Sequence, residues 1–417
     1  MYKPPLSGSN TSRVKAHNVQ AILLNLLHNR VTSRVQLAEQ TGLSKTTITN
    51  LVTELMEQGI VTEEAVTDAP ENGRRQVGRP QKIVHLVPNA RYVIGVHIGI
   101  GLFRVAITNL HAEIVHNNTV LFDLNQPWEE VLMQIAAQIE TTLQESGIDP
   151  VLVLGAGIGV SGLIDYRTGI NHLAPSLGWH DVPVKAFLEK RLNLPVCADN
   201  NVRAMSLGEA YFGLGKGVGI QAFIYGRIGV GAGFVINGQL FRGFGAGAGE
   251  IGHTIVLPHE GAACRCGQHG CLETLVSEPV LLREAQALAA AQPDGVLAAY
   301  LNQAGNHPID AVFAAARAGD QSTLQLIDDK AYYLGIALAN LVNILNPELI
   351  ILGGMFAQAS DLIIPKVDAT MKQLTFAHMG DRVRLQPTHF GWRAGVVGAA
   401  SLALMGLFYA ADEPFAP

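Results

Sequence analysis

Residues 249–273 read GEIGHTIVLPHEGAACRCGQHGCLE, and they hold three of the four cysteines in the chain. Cys264, Cys266 and Cys271 form a C-x-C-x4-C run, and His253 lies eleven residues ahead of the first. Thiolates and a neutral imidazole are the ligands of tetrahedral zinc, and four of them with no open position describe a closed, structural site. The competing reading is three small buried hydrophobes. Cysteines this scarce rarely cluster by accident, and Gly267 and Gly270 let a short loop fold back on a metal. The expectation is therefore one structural zinc per chain on His253, Cys264, Cys266 and Cys271, with His259 and His269 as spare fourth ligands.

Two carboxylates, Glu250 and Glu273, flank the cysteine loop. Carboxylates accept hydrogen bonds from sugar hydroxyls, which an apolar pocket cannot do. The G-E-x-G-H motif followed by C-x-C-G-x-x-G-C-x-E resembles the ROK family, which contains bacterial sugar kinases and sugar-responsive repressors on one fold. The resemblance implies that Glu250, His253 and Glu273 contact a sugar or hold the zinc. It also implies an α/β class: a two-lobed, actin-like (ribonuclease-H-like) ROK domain with its ligand in the cleft between the lobes.

A chain of 417 residues predicts two or three domains, and 48% apolar with 15% charged residues is globular. Scarce cysteines, most of them in a metal-type cluster, and a polar N-terminus without a signal pattern point to the cytoplasm. Residues 394–411 run eighteen positions without a charge. They are rich in Gly, Ala and Ser and lack cationic anchors, so a buried helix is expected and no membrane. Charge is uneven: residues 1–88 carry ten Lys/Arg against seven Asp/Glu (+3), and the remainder nineteen against twenty-eight (−9). A basic head on an acidic body predicts that the head meets double-stranded DNA.

The head, residues 1–88, reads as a winged helix-turn-helix. Val19, Ile22, Leu23, Leu26 and Leu27 mark a first amphipathic helix. A second begins after Thr32 or Ser33 and buries Leu37 and Ala38, and Gly42 turns the chain. Ser44 caps a third helix that buries Ile48, Leu51, Val52 and Leu55. Its remaining face, Lys45, Thr46, Thr47, Thr49 and Asn50, suits phosphate and base-edge contacts in a major groove. Residues 60–66 and 83–87 read as wing strands around a loop with Arg74, Arg75 and Gly78-Arg79-Pro80, whose guanidiniums suit a narrow minor groove. The ROK repressors are similar in this head, including the Gly-Arg-Pro; the family's kinases lack one.

The body, residues 89–417, opens with strands at 92–98, 102–109 and 113–122, a helix at 127–145 and a buried strand at 151–159. A second strand-turn-strand follows at 223–236, and 349–354 resembles the family's last strand. Phosphoryl transfer needs phosphate-cradling loops and a base for the hydroxyl proton. Where ROK kinases carry D-x-G-G-T, this chain has His97-Ile98-Gly99-Ile100-Gly101; where they carry G-T-G-x-G-x-G, it has Arg227-Ile228-Gly229-Val230-Gly231-Ala232-Gly233. Counting back from Gly208-Glu209, the kinases' N-D-x-N falls on Asn200-Asn201-Val202-Arg203, so Asn201 stands at the base position. An amide does not take a proton at neutral pH, although it hydrogen-bonds a hydroxyl. Asp199 lies two residues upstream. Ser176-Leu177-Gly178-Trp179 resembles the family's N-L-x-G-W, with Ser176 replacing a sugar-contacting asparagine; Trp179 reads equally as a stacking or a core residue.

Together these readings predict a non-enzymatic repressor of carbohydrate-utilisation genes with no catalytic residue. A sugar or sugar derivative at Asn200, Asn201, Ser176, Glu250, His253 and Glu273 controls operator affinity, in a homodimer or tetramer. The alternatives are a sugar kinase with a fused head and a repressor gated by a protein partner.

Overall fold

The computed structural model describes residues 11–65, 82–305 and 307–410. The chain divides into two compact units, Met1–Asp199 with Ala399–Pro417, and Asn200–Gly398.

At the N-terminus, α1 (Thr11–Asn29) buries Val19, Ile22, Leu23, Leu26 and Leu27, the residues its periodicity picks out. Ser33 caps α2 (Arg34–Thr41) in a reciprocal box with Gln36, and Gly42 ends that helix with φ of 70°. The Ser44 hydroxyl accepts from the Thr47 N–H to start α3 (Lys45–Glu57), which buries Ile48, Leu51, Val52 and Leu55. Strands β1 (Val61–Ala65) and β2 (Lys82–Leu86) pair antiparallel from Val61↔Leu86 to Ala65↔Lys82. Thr32, between α1 and α2, adds a bridge to Val84, a third strand too short to leave a sequence signal.

In the same unit β3 (Tyr92–Ile98), β4 (Leu102–Asn109) and β5 (Ile114–Leu121) form a meander. Helix α4 (Trp128–Ser146) leads to β6 (Val153–Val160), parallel to β3. A small sheet of β7 (Leu163–Asp165), β8 (Ile170–Ala174) and β9 (Trp179–Pro183) follows, then α5 (Val184–Leu192) and β10 (Val196–Asn200). The large sheet has the order β10-β6-β3-β4-β5. β3 and β6 are buried on both faces, as central strands are, whereas edge strand β5 alternates.

The second unit opens with α6 (Asn201–Phe212) and repeats the plan with β11 (Ile220–Gly226), β12 (Val230–Ile236) and β13 (Gln239–Phe241). Helices α7 (Glu273–Val276), α8 (Glu278–Ala291), α9 (Val296–Gln303), α10 (Pro308–Arg317) and α11 (Gln321–Leu345) precede β14 (Leu349–Gly354), which lies parallel to β11. After α12 (Met355–Gln358) and α13 (Ser360–Leu374), β15 (Arg384–Pro387) completes the order β13-β12-β11-β14-β15. Two sheets with the same strand plan are the duplication expected of the ROK fold. Residues 349–354 are not the last strand. The true last one, β15, is four residues ending in proline on a sheet edge, too short for a period-two pattern.

The uncharged C-terminal stretch is helix α14 (Ala394–Leu404) continued by a π-helical turn at Met405–Tyr409. Gly391–Tyr409 is long and apolar enough to cross a membrane, yet 67% of its window is buried in the fold. A Cβ on Gly157 of β6 would stand 1.8 Å from the Ala399 carbonyl oxygen, so the helix rests on bare backbone. Small residues in the stretch serve that close approach.

Candidate functional site

Two glycines shape the approach to the cysteine cluster. In G-E-x-G-H, a Cβ on Gly249 would meet the Ala232 carbonyl oxygen at 2.0 Å, and one on Gly252 the Val230 oxygen at 2.2 Å. The segment therefore lies flat on β12, held by Ala232 N–H to the Gly249 carbonyl at 2.7 Å. A one-turn 3-10 helix, Ile251–His253, then presents the imidazole. Opposite it the cysteine loop closes as a knuckle: Cys264 N–H donates to the Gln268 carbonyl at 2.7 Å, and Gly270 N–H to that of Ala262 at 3.0 Å. Gly270 adopts φ of 70°, and a side chain there would strike the Leu257 carbonyl.

The ligand atoms of His253, Cys264, Cys266 and Cys271 all lie within 4.8 Å of one another. Cys264 Sγ is 3.6 Å from His253 Nδ1, and Cys266 Sγ is 3.6 Å from Cys271 Sγ. A tetrahedron with bonds of about 2.3 Å to sulfur and 2.0 Å to nitrogen has edges of about 3.8 and 3.5 Å, so the donor set fits zinc. His259 and His269 are exposed and stand outside the cluster. Burial, then the neighbouring thiols, push the Cys271 thiol up to about 12, while the Gln268 backbone N–H draws the Cys266 thiol down. A cation held among the sulfurs would supply the charge that stabilises them as thiolates.

The carboxylates are placed differently from each other. Glu250 is exposed between its two glycines. Glu273, the first residue of α7, is buried, and both of its oxygens are engaged. Oε2 accepts from the Val230 N–H at 3.0 Å, and Oε1 pairs with the Arg265 guanidinium at 3.0 Å. The cysteine motif leaves Arg265 unassigned, although a cation between two of the clustered cysteines is a signal visible in the sequence. The glycine turn before β12 is fixed by the same contacts and by Arg227, which pairs with Glu278 at 3.4 Å.

At the start of α6, the Asn200 side chain is the N-cap and accepts from Val202 and Arg203 N–H at 2.9 and 3.2 Å. Asn201 follows as the first helical residue, 8% exposed, and its Oδ1 accepts from Val202 N–H at 3.0 Å. In the first unit, Asp199 is fully buried, and Ser176 lies on the turn joining β8 to β9. Trp179 is 3% exposed within the core of β3, β6 and α5, which resolves its two readings in favour of the core.

On α3, Lys45, Thr46, Thr49 and Asn50 are exposed and Thr47 is half-buried. The Thr47 hydroxyl is engaged with Ser44 Oγ at 2.9 Å, and the Thr49 hydroxyl donates to the Lys45 carbonyl at 2.8 Å. Lys45, Thr46 and Asn50 thus offer the least encumbered groups of that face. Arg34 of α2 ties the motif together: it pairs with Glu63 of β1 and donates to the Thr49 carbonyl at 3.2 Å. Burial alone would raise the Glu63 carboxyl, but the hydrogen bond and charge of Arg34, helped by Lys82, hold it below its usual value. Arg74, Arg75 and Arg79 lie outside the described residues.

Comparison with known proteins agrees with both halves. A profile for winged helix-turn-helix DNA-binding matches residues 17–62, and the ROK family profile matches residues 93–405. The chain belongs to the ROK family. Among ROK relatives, the xylose repressor of Caldicellulosiruptor bescii is 30% identical over 95% of this chain and 97% of its own length. The glucokinase of Halalkalibacterium halodurans is 33% identical over 75% of this chain and 94% of its own. A solved ROK family transcriptional regulator, described as a homologue of the Escherichia coli Mlc protein, superposes with a TM-score of 0.79 at 26% identity, covering 94% of this chain and 97% of that one. With its helix-turn-helix and full-length match to such regulators, this chain is a ROK transcriptional regulator, homologous to repressors and to kinases at similar identity.

Proposed function

We propose that the protein represses carbohydrate-utilisation genes in the cytoplasm, and that a sugar or sugar derivative sets its affinity for a double-stranded operator. The observation that carries this reading is continuity: the match to a xylose repressor runs through head and body alike, whereas the match to a glucokinase covers 75% of the chain. Residues 1–88 form the DNA-reading domain and 89–417 the ROK domain. Lys45, Thr46, Thr47, Thr49 and Asn50, with Arg74, Arg75 and Arg79, meet DNA. Asn200, Asn201, Glu250, His253, Glu273 and Ser176 form the sugar-contacting set. Zinc, one per chain on His253, Cys264, Cys266 and Cys271, is structural and holds the knuckle beside Glu273. Two heads in a homodimer or tetramer read two half-sites, so a change in their spacing lowers operator affinity.

In this reading phosphoryl transfer is lost because Asn201 occupies the base position, and an amide hydrogen-bonds a hydroxyl without taking its proton. Asp199 is fully buried, which disfavours it as a substitute. Fluorescence anisotropy with operator DNA and a panel of pentoses, hexoses and their phosphates tests the proposal. One sugar should weaken binding at least tenfold, with no ATP turnover. The 33% identity to a glucokinase supports the rival kinase reading, which ATP-dependent sugar phosphorylation abolished by Glu250→Gln would establish. Intact operator binding indifferent to every sugar would instead favour a protein partner.

A further inference from the structure

Arg265 stands where three functional parts of the second unit meet. It is flanked in sequence by two members of the metal cluster, Cys264 and Cys266. Its Nη2 lies 3.0 Å from Glu273 Oε1. A Cβ on Gly229 would sit 3.1 Å from that same Nη2 and 2.9 Å from Glu273 Oε2, so both charged groups press against the bare glycine turn. The other oxygen of Glu273 receives the Val230 N–H at 3.0 Å, at the first residue of β12. A carboxylate held by a guanidinium on one oxygen and a backbone N–H on the other has its plane and rotamer set, which is what a residue recognising hydroxyls requires.

We propose that Arg265 is a positioning residue that couples the metal knuckle to Glu273: the knuckle fixes Arg265, Arg265 fixes Glu273, and Glu273 fixes the glycine turn. The proposal rests on the reading of Glu273 as a sugar contact only for its consequence on binding. Its first prediction, that Arg265 controls the order of Glu273 and the turn, needs no sugar. Arg265 contributes no ligand atom to the cluster, so its replacement is expected to leave the metal bound. Losing the metal therefore acts on Glu273 in the same direction as losing Arg265, whereas losing Arg265 leaves the metal in place.

The test compares full-length wild type, Arg265→Ala and Arg265→Lys, and chelator-treated wild type. The readouts are zinc content, hydrogen exchange of peptides covering residues 228–236, and calorimetric titration with D-xylose and D-glucose. Arg265→Ala should keep about one zinc per chain, yet exchange the Val230 amide about tenfold faster, and chelated wild type should match it. Arg265→Lys, which keeps the charge but not the fork, should recover part of the protection. Binding of whichever sugar wild type accepts should weaken about tenfold in Arg265→Ala. Unchanged protection at residues 228–236 in Arg265→Ala would overturn the proposal, as would loss of zinc in that variant, which would make Arg265 a prop of the knuckle alone. If wild type gives heat with neither sugar, the sugar reading loses support while the exchange result still decides the coupling. Should Arg265→Ala not fold, Arg265→Gln, which retains the stem without the charge, is scored in the same way.

Discussion

Replacing Arg34 with alanine should weaken operator binding without removing any contact to DNA. Arg34 joins three elements of the head: it pairs with Glu63 of β1, donates to the Thr49 carbonyl of α3 at 3.2 Å, and itself begins α2. The Glu63 side chain is 7% exposed and that of Arg34 26%, so the pair is largely withdrawn from water. Breaking a buried pair by deleting one partner costs about 3–5 kcal/mol, whereas exposed pairs contribute about 0–1. Lys82, 3.5 Å from the other Glu63 oxygen, remains as partial compensation. A loss of about 2 kcal/mol from the head follows, within those limits.

Adding Glu63→Gln to Arg34→Ala removes the stranded charge, so the double variant should recover about 1 kcal/mol relative to the sum of the singles. Peptide hydrogen exchange over α3 and β1 reads the stability, and anisotropy with operator DNA reads the function. Affinity should fall several-fold as the wing loosens from α3. The slope of log affinity against log salt should stay constant, because no phosphate contact is lost. Additive single and double variants, or a salt slope that falls with Arg34→Ala, would refute the reasoning.

Other consequences are quickly checked. Because its neighbours hold the Glu63 carboxyl below its usual value, its contribution is fully present above the unfolded value of about 4.3 and is lost as pH falls through the folded one. Circular dichroism melts between pH 6 and 3 should therefore decline more steeply for wild type than for Glu63→Gln. Lys45→Ala should lower the salt slope by about 0.9 per head and weaken all DNA sequences alike, as measured by anisotropy at several salt concentrations. Cys271→Ser should bring zinc below about half an equivalent by metal analysis, a hydroxyl being a poor substitute for thiolate. Gly157→Ala should cost about 3 kcal/mol in denaturant unfolding, since its Cβ would overlap the Ala399 carbonyl, which is backbone and cannot rotate away.

The parts legible in the sequence share one property: their chemistry is local. Ser33, Gly42 and Ser44 mark helix ends because caps and left-handed turns are settled within four residues, and all three hold those positions. The metal cluster was legible because thiols this scarce have few other reasons to gather. The small sheet of β7, β8 and β9 left weaker marks. Strands of three to five residues carry little periodicity. Trp179 remained two-valued until its burial was known, because an aromatic ring looks the same in a core and in a stack.

Glu273 shows what is added when pairs distant in sequence come together. Its position after Cys271 marked it as a carboxylate at the edge of the metal loop, and nothing nearby named its partners. Val230 lies forty-three residues earlier and Arg265 eight, and both converge on it because Gly229 leaves room that a side chain would fill. A carboxylate drawn into a buried position needs its charge answered, and here one answer comes from the metal knuckle and the other from the start of a strand. The bare glycine turn at Gly229 is the floor on which that ion pair rests. Under the proposed sugar reading, the contacts of Glu273 and Arg265 hold the carboxylate in one orientation for the hydroxyls it would recognise.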